Sequence, residues 1–191
     1  TGTVPANVTV TLNAVGGGVV LAGNVGISFP AGAFGAIAGN VTVAVTANPP
    51  SLAAINAGGP SQFSPNGTIL DINITDSAGA HITTFPQPVT LVTKPNGADV
   101  AMANGKFSSL TLGYVIDTDS PAGENPNHYP INTLVIEPPS AVVVDPVGGT
   151  ISANLNFLGS VIGVVTNPVG YVQTLNPAAT EFSSFDPNSA Q

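Results

Sequence analysis

Three acidic residues in the stretch 117–124 have a spacing that could hold a metal ion. Asp117, Asp119 and Glu124 form the pattern Asp-x-Asp-x-x-x-x-Glu, and Ca²⁺ binds about six to eight oxygen ligands. The Asp-x-Asp-x-Asp-Gly pattern of an EF-hand loop is missing, however. The surrounding stretch, 117–130, is rich in Pro, Asn and acidic residues, so we favour a solvated acidic loop over a calcium site.

The two histidines are the only other residues suited to acid–base chemistry near neutral pH. His81 follows Gly79 and Ala80 at a predicted hairpin turn, and His128 lies in the acidic loop. Neither histidine has an acidic residue and a hydroxyl residue near it in a pattern that is typical of a catalytic site. The carboxylates are scattered singly along the sequence, so no pair of glycosidase carboxylates can be proposed. The sequence therefore predicts a protein that is not an enzyme and that uses no cofactor.

Four Asn-x-Thr sequons are candidates for N-glycosylation. Their number is close to that expected by chance from the Asn, Ser and Thr content, so the number alone predicts nothing. Their location is more informative, because all four lie in or beside a region without charged residues. The four asparagines are Asn7, Asn40, Asn66 and Asn73.

The first 70 residues contain no Asp, Glu, Lys, Arg, His, Cys or Tyr. An average domain would place roughly 17 charged side chains in a stretch of this length. Acid–base catalysis, thiolate chemistry and metal binding by side chains are thereby nearly excluded from a third of the chain. Its surface must be solvated by Thr, Asn, Ser and backbone groups, or covered by glycans or other subunits. These features predict a structural protein at the cell surface or outside the cell.

The overall charge excludes some further partners. The 191 residues carry a net charge of −8 with only two lysines and no arginine, so neither nucleic acid nor an anionic membrane surface is an expected partner. No run of about 18 apolar residues is present, so no membrane span is predicted. If the protein is secreted, we expect Thr1 to begin a mature chain whose leader has been removed.

Hydrophobic residues recur with a period of two along most of the chain, which predicts an all-β fold. The short segments are rich in Val, Ile and Thr and are separated by Gly, Pro and Asn. We predict an antiparallel β-sandwich, immunoglobulin-like or jelly-roll-like, with single helical turns at 51–56 and 98–103. The predicted strands are 3–13, 19–21, 27–29, 41–46, 68–75, 89–93, 110–116, 133–136, 141–144, 150–158, 161–166 and 169–175.

The same pattern divides the chain into three parts. Residues 1–16 form an extended N-terminal strand, residues 17–175 form the β-sandwich domain, and residues 176–191 form a C-terminal tail. No internal repeat or low-complexity linker is present.

Three patches resemble the β-sandwich domain shared by ankyrins, zonula occludens proteins and netrin receptors, and in particular its bacterial extracellular relatives. Gly17-Gly18 followed by ISFPAGAF (27–34) is similar to the Gly-Gly and Pro-x-Gly-Ala signature of the family. Residues 63–95 resemble its strand, glycine turn and Pro-Val-x-Leu strand. Residues 142–165 resemble the closing hairpin of the bacterial relatives. The resemblance spans about 17–165 and implies the same sandwich fold.

The resemblance also bears on self-cleavage, which some members of the family perform at a His-Phe-Ser sequence in the closing hairpin. Asn156, Phe157 and Leu158 occupy the matching positions here. They provide neither the base nor the hydroxyl nucleophile, so no self-cleavage is expected. The tryptophan usual near this hairpin is also missing, and Tyr129 and Pro130 stand in its place.

The N-terminal segment alternates without interruption and presents one apolar face with no charged residue. Such a strand invites pairing with another chain unless its edge is covered. We therefore consider donation to the sheet of a neighbouring subunit, with an ordinary edge strand in the chain's own sandwich as the equal alternative. The residues that would enter the neighbouring core are Val4, Val8, Val10 and Leu12.

Together these features predict a non-enzymatic extracellular structural protein. We favour the subunit of a pilus-like filament, a homopolymer assembled by strand donation and carrying glycans. The alternative is a stalk or adhesin module that binds sugar or protein through its loops. With three tyrosines and no tryptophan, the chain has few side chains on which a sugar ring could stack.

Overall fold

The structure of the chain, a computed structural model, describes residues 7–47, 67–116, 133–136, 141–158, 161–166 and 172–174. Those residues form twelve β-strands, one α-helix and one 3-10 turn. The strands are β1 Val8–Asn13, β2 Gly18–Ala22, β3 Val25–Phe29, β4 Asn40–Ala47, β5 Ile69–Asp76, β6 Thr84–Thr93, β7 Leu110–Val115, β8 Thr133–Ile136, β9 Val142–Asp145, β10 Thr150–Phe157, β11 Val161–Thr166 and β12 Val172–Thr174. The helix, α1, spans Gly97–Met102, and the 3-10 turn spans Phe107–Ser109.

The strands form two sheets in which neighbouring strands are antiparallel. The larger sheet has seven strands in the order β1-β4-β5-β11-β7-β8-β12. The smaller sheet has five strands in the order β2-β3-β6-β10-β9. The sheets pack face to face over a shared apolar core, so the prediction of an all-β antiparallel sandwich is confirmed.

Where the chain is described, the predicted strands agree with the structure to within one or two residues, except that β6 begins at Thr84 rather than at Val89. Each predicted strand has a counterpart, and the predicted helical turn at 98–103 corresponds to α1. The predicted turn at 51–56, residues 1–6 and the predicted tail at 176–191 lie outside the described residues.

Alternation along each strand places one set of side chains in the core, because successive residues point to opposite faces of a sheet. In β3, Val25, Ile27 and Phe29 are buried. Phe29 stacks on Phe34 with 5.2 Å between ring centroids. Phe85 meets both rings edge-on, at 5.9 and 6.0 Å. This aromatic cluster joins β3, the segment that follows it and β6 in one end of the core.

The centre of the seven-stranded sheet is buried on both faces. In β11, Ile162 and Val164 belong to the core between the sheets, whereas Val161 and Val165 alternate with them and are also buried. Gly113 of β7 lies among the outward-facing side chains, where a Cβ atom would be 3.1 Å from Leu134 and 3.2 Å from Val165. The outer side of this region is therefore a second closely packed apolar layer.

The turn between β1 and β2 requires glycine at position 17. Gly17 has a φ of +68°, and a Cβ atom there would overlap the carbonyl oxygens of Phe29 and Pro30. Side chains are disfavoured both by this conformation and by the contact with backbone. Gly17 thus brings the end of β1 close to the end of β3.

Replacing Gly17 with alanine is expected to lower the free energy of unfolding by about 3 kcal/mol, because strain and overlap with rigid backbone add together. Gly39 is the matched control, since its φ is +86° but a Cβ atom there meets nothing within 4 Å. Gly39→Ala is expected to cost about 1 kcal/mol. Urea unfolding followed by circular dichroism measures both values, and equal losses for the two variants would contradict the proposed overlap.

Within the described residues, none of the helical structure has the length and hydropathy needed to cross a lipid bilayer.

Candidate functional site

The N-terminal strand β1 lies at one edge of the seven-stranded sheet. It pairs with β4 along its whole length, from Val8 opposite Val45 to Asn13 opposite Asn40. Its other edge pairs with no strand among the described residues. Within the part of the chain that the structure describes, β1 is thus an edge strand of the chain's own sandwich. Donation to a neighbour stays a prediction.

The apolar face of β1 is only half covered. Val8, Val10 and Leu12 pack against the core but are half-buried. The facing residues of β4, Val41, Val43 and Val45, are fully buried. Val4, the fourth predicted contact residue, lies outside the described residues.

A compact turn, rather than an extended linker, connects β1 to β2. The Asn13 side chain accepts hydrogen bonds from the backbone N–H groups of Val15 and Gly16, both at 3.0 Å. Ala14 is buried, and its N–H donates to the carbonyl of Gly39 at 2.9 Å. The Ala14–Gly39 bond must break before β1 can move away from β4, and the Asn13 contacts hold the chain in a compact turn, so both oppose exchange.

Three of the four sequons lie on one surface, the outer face of β1, β4 and β5, which we call the sequon face. Asn7, Asn40 and Asn73 are exposed. The register places Asn40 and Asn73 on the outer side of β4 and β5, and Asn7 directly precedes β1. The threonines of these sequons alternate in phase with the asparagines and lie on the same face. The acceptor residues predicted from the sequence are thus brought together, except for Asn66, which lies outside the described residues.

The asparagine side chains of the sequon face differ in their contacts. Asn7 accepts a hydrogen bond from the Ala47 N–H at 2.8 Å. Asn73 Oδ1 lies 2.9 Å from His81 Nδ1. His81 is exposed and lies beside the β5–β6 turn, as predicted. This contact positions an asparagine side chain, and it involves no acid or nucleophile.

The predicted calcium ligands Asp117, Asp119 and Glu124 lie outside the described residues, as does His128. Among the residues that the structure does describe, no three His, Asp or Glu side chains are grouped closely enough to hold a metal ion. The solvated acidic loop, with a calcium site as its alternative, therefore stays a prediction.

A buried polar network, which the sequence did not suggest, ties α1 to the start of β5. Asp99 is 0% exposed. Its carboxylate accepts hydrogen bonds from the Thr68 N–H at 2.9 Å and from the Thr68 hydroxyl at 2.8 Å. It also accepts one from the Asn96 N–H at 2.8 Å. Both carboxylate oxygens are therefore occupied by donors of the chain itself.

The network extends to the opposite sheet through the β2–β3 turn. The Asn24 side-chain amide donates to the Thr68 hydroxyl at 2.6 Å and to the carbonyl of Lys94. Thr68 also accepts a hydrogen bond from the Val164 N–H through its carbonyl at 2.9 Å. Asn24, Thr68 and Asp99 thus clamp the two sheets and α1 together, which is a structural role.

One sequence signal could have indicated part of this network. Asn96 and Asp99 form a capping box at the start of α1, in which each side chain accepts from the backbone of the other. The pattern Asn-x-x-Asp after Pro95 is typical of a helix N-terminus. The attachment to Thr68 has no such local signal. It also buries the hydroxyl of the sequon at Asn66, because Thr68 is only 7% exposed.

No protein-family model matches this chain, and no curated protein matches it. The resemblance to the domain of ankyrins, zonula occludens proteins and netrin receptors stays a prediction. The described parts of the three patches that carry it fall on the β2–β3 hairpin and the segment after it, the β5–β6 hairpin and the strands β9 to β11.

Proposed function

We propose that this chain is a non-enzymatic structural subunit of an extracellular, pilus-like filament, in which copies join by exchange of the N-terminal strand. The observation that supports the proposal is the edge position of β1 and the exposure of its apolar face. Strand β1 is an uncharged edge strand with a half-covered apolar face, and among the described strands it pairs only with β4. A strand of this kind is a site at which sheets of different chains join.

Exchange would preserve the contacts that β1 makes in the single chain. If β1 of one copy leaves its own β4, the β1 of a second copy can pair there in the same register and cover Val41, Val43 and Val45. The β1–β4 contacts are then the same in the exchanged state as in the single chain. The two states differ in the turn held by Asn13 and Ala14. When each copy gives its strand to the next, the contact is heterologous and generates an open filament.

The surface composition fits an assembly outside the cell. The sequon face is built mainly from Thr and Asn, and Asp71 is the one charged side chain in its paired rows. We propose Asn7, Asn40 and Asn73 as glycan attachment sites, because they are exposed on this face. Glycans there would solvate a surface that has almost no charge.

A pair of engineered cysteines distinguishes a donated strand from a retained one. Thr9 and Ala44 are directly opposite each other on β1 and β4, and the chain has no native cysteine. Adjacent antiparallel strands bring such pairs within reach of a disulfide. Thr9→Cys/Ala44→Cys protein is assembled under reducing conditions, oxidised and run on a denaturing gel without reductant. Strand donation predicts a ladder of covalent multimers.

A second cysteine pair is the matched control. Thr42 and Thr75 are opposite each other on β4 and β5, which both stay within one subunit. Thr42→Cys/Thr75→Cys is expected to form disulfides within each chain and to run as a monomer. Monomers alone for the Thr9–Ala44 pair in assembled material would overturn the donation of β1.

A further inference from the structure

The exposed apolar side chains of the described residues are concentrated on the five-stranded sheet. Four lie in its strands, and a fifth, Val147, lies in the β9–β10 turn. The sixth, Val15, lies in the β1–β2 turn. Contiguous apolar exposure of this kind marks a contact surface more often than scattered single residues do. The full set is Val15, Val19, Leu21, Val92, Val143 and Val147.

One row of directly paired residues crosses all five strands on the outer side of this sheet. In order from β2 to β9 it consists of Leu21, Gly26, Val92, Ser152 and Val143. None of these residues is charged. Among the described residues of this face, charge appears only at one rim, where Lys94 follows β6 and Asp145 ends β9. The row is therefore mainly apolar, whereas the next row on the same side contains the polar residues Ser28, Thr90 and Asn154. One cation and one anion lie on the same border of the face.

A groove of about 370 Å³ lies at the β2 side of this face. Leu21, Gly26 and Val92 line it, and Lys94 stands at its rim. Gly26 forms part of the groove because it has no side chain, and a Cβ atom there would touch Leu21 at 3.4 Å. The groove thus has the size and character to take a small aliphatic side chain next to an anion.

The β9–β10 turn, residues 145–149, carries an exposed aliphatic side chain next to an anion. Val147 is 98% exposed. The turn is held by Asp145, whose Oδ1 accepts hydrogen bonds from the N–H groups of Val147 at 3.0 Å and Gly148 at 2.9 Å. A fixed turn loses little conformational freedom on binding. Val147 and the carboxylate of Asp145 are therefore presented together, as an apolar group beside an anion.

We propose that two copies of the chain make a reciprocal contact through this face, in which Val147 of each copy enters the groove of the other. Asp145 then lies against Lys94 of the second copy, so the two charges at the rim are complementary. The turn and the groove are neighbours, since Thr150 pairs with Asp145 and also lines the groove. A reciprocal two-fold contact uses the same surface patch on both copies, and the turn and the groove belong to one such patch.

Charge favours a second copy as the occupant. The chain has a net charge of −8 and only two lysines, so two copies that meet through their acidic regions repel each other. The outer face of the five-stranded sheet avoids this repulsion and uses one of the two cations. It also lies on the sheet opposite to the sequon face, where glycans are proposed. The contact is independent of strand donation, which involves β1 and β4 of the other sheet.

Sedimentation of the full-length chain over a wide concentration range tests the contact. To separate it from strand exchange, every variant carries the oxidised Thr9–Ala44 disulfide formed in dilute monomer, which holds β1 in its own sheet. This protein is expected to form dimers. Val147→Asp is expected to raise the dimer Kd at least about 10-fold, because each dimer would bury two carboxylates in apolar grooves. The fold should be unaffected, since Val147 is almost fully exposed.

Two further comparisons make the test specific. Val15→Asp changes an exposed valine away from the face and is expected to leave the Kd unchanged. Lys94→Gln and Asp145→Asn are each expected to raise the Kd about 3-fold, and the double variant is expected to be no weaker than either one. Asparagine keeps the turn, because its side-chain oxygen still accepts hydrogen bonds. A monomeric locked chain, or equal Kd values for Val147→Asp and Val15→Asp, would overturn the contact while leaving strand donation unaffected.

Discussion

Asp99→Ala is expected to lower the free energy of unfolding by about 3 to 4 kcal/mol, the largest loss that we expect from a single polar side chain here. The variant removes the acceptor of three hydrogen bonds, two from Thr68 and one from Asn96. The N–H and the hydroxyl of Thr68 would stay buried without this acceptor, at about 1 kcal/mol or more apiece. The connection between α1 and the start of β5 would then be lost.

Two other aspartate variants show whether burial causes this loss. Asp76 also accepts two backbone hydrogen bonds, from Ala78 and Ala80 at 2.9 Å, but in an exposed turn. Asp76→Ala is expected to cost about 1 kcal/mol, since water can replace the lost acceptor. Asp99→Asn keeps one acceptor oxygen and should lie between the two. Urea unfolding gives all three values, and a loss for Asp99→Ala no greater than that for Asp76→Ala would contradict a structural role for the buried network.

The strands were predictable because a half-buried strand has a short-range signature. In β4, Val41, Val43 and Val45 are buried and alternate with Thr42, Ala44 and Thr46 on the outer side. A period of two is visible in the sequence whichever strand lies next to it. The pairing partners are not visible in this way, and β5 pairs with β11, which lies about ninety residues further along.

Prolines explain the largest error in a predicted strand boundary within the described residues, at the start of β6. We predicted that β6 begins at Val89, but it begins at Thr84 and contains Pro86 and Pro88. Its pairing with β10 shifts register between Leu155 and Phe157, where Val89 and Thr84 are the respective partners. Prolines are tolerated at such an irregularity because no ladder hydrogen bond from their nitrogen is needed. The sequence shows the prolines, but the register shift depends on β10.

The candidate sites were predictable to the extent that they depend on single strands. The apolar face of β1 and the asparagines of the sequon face follow from alternation and from a local motif. The Asp99 network joins residues that are 31 and 44 positions apart, and the groove beside Val92 requires three paired strands. Both arise only when the sheets are assembled, so no local pattern could have indicated them.

The strand β1 is expected to bind to β4 from outside the chain when it is supplied as a separate peptide. A shortened chain that begins at Gly16 lacks β1 and exposes the edge of β4. Val8, Val10 and Leu12 are half-buried, so each contributes about 1 kcal/mol. The loss of the paired backbone adds to this, and we expect the shortened chain to be less stable than the full chain by about 3 to 5 kcal/mol.

Adding a peptide of residues 1–13 should reverse much of this loss, because a ligand that binds only the folded state stabilises it by mass action. At 100 times its Kd the peptide would restore about 2.7 kcal/mol. A peptide with Val10→Asp is the matched control, since it would place a carboxylate against the core. Thermal unfolding of the shortened chain measures both effects. An equal Tm with either peptide would show that the edge of β4 does not accept β1 from another molecule. Assembly by strand donation requires that β4 accept β1 from another molecule. The peptide tests this binding step alone, because it is not tied to the turn at Asn13 and Ala14 that opposes release of β1 in the intact chain.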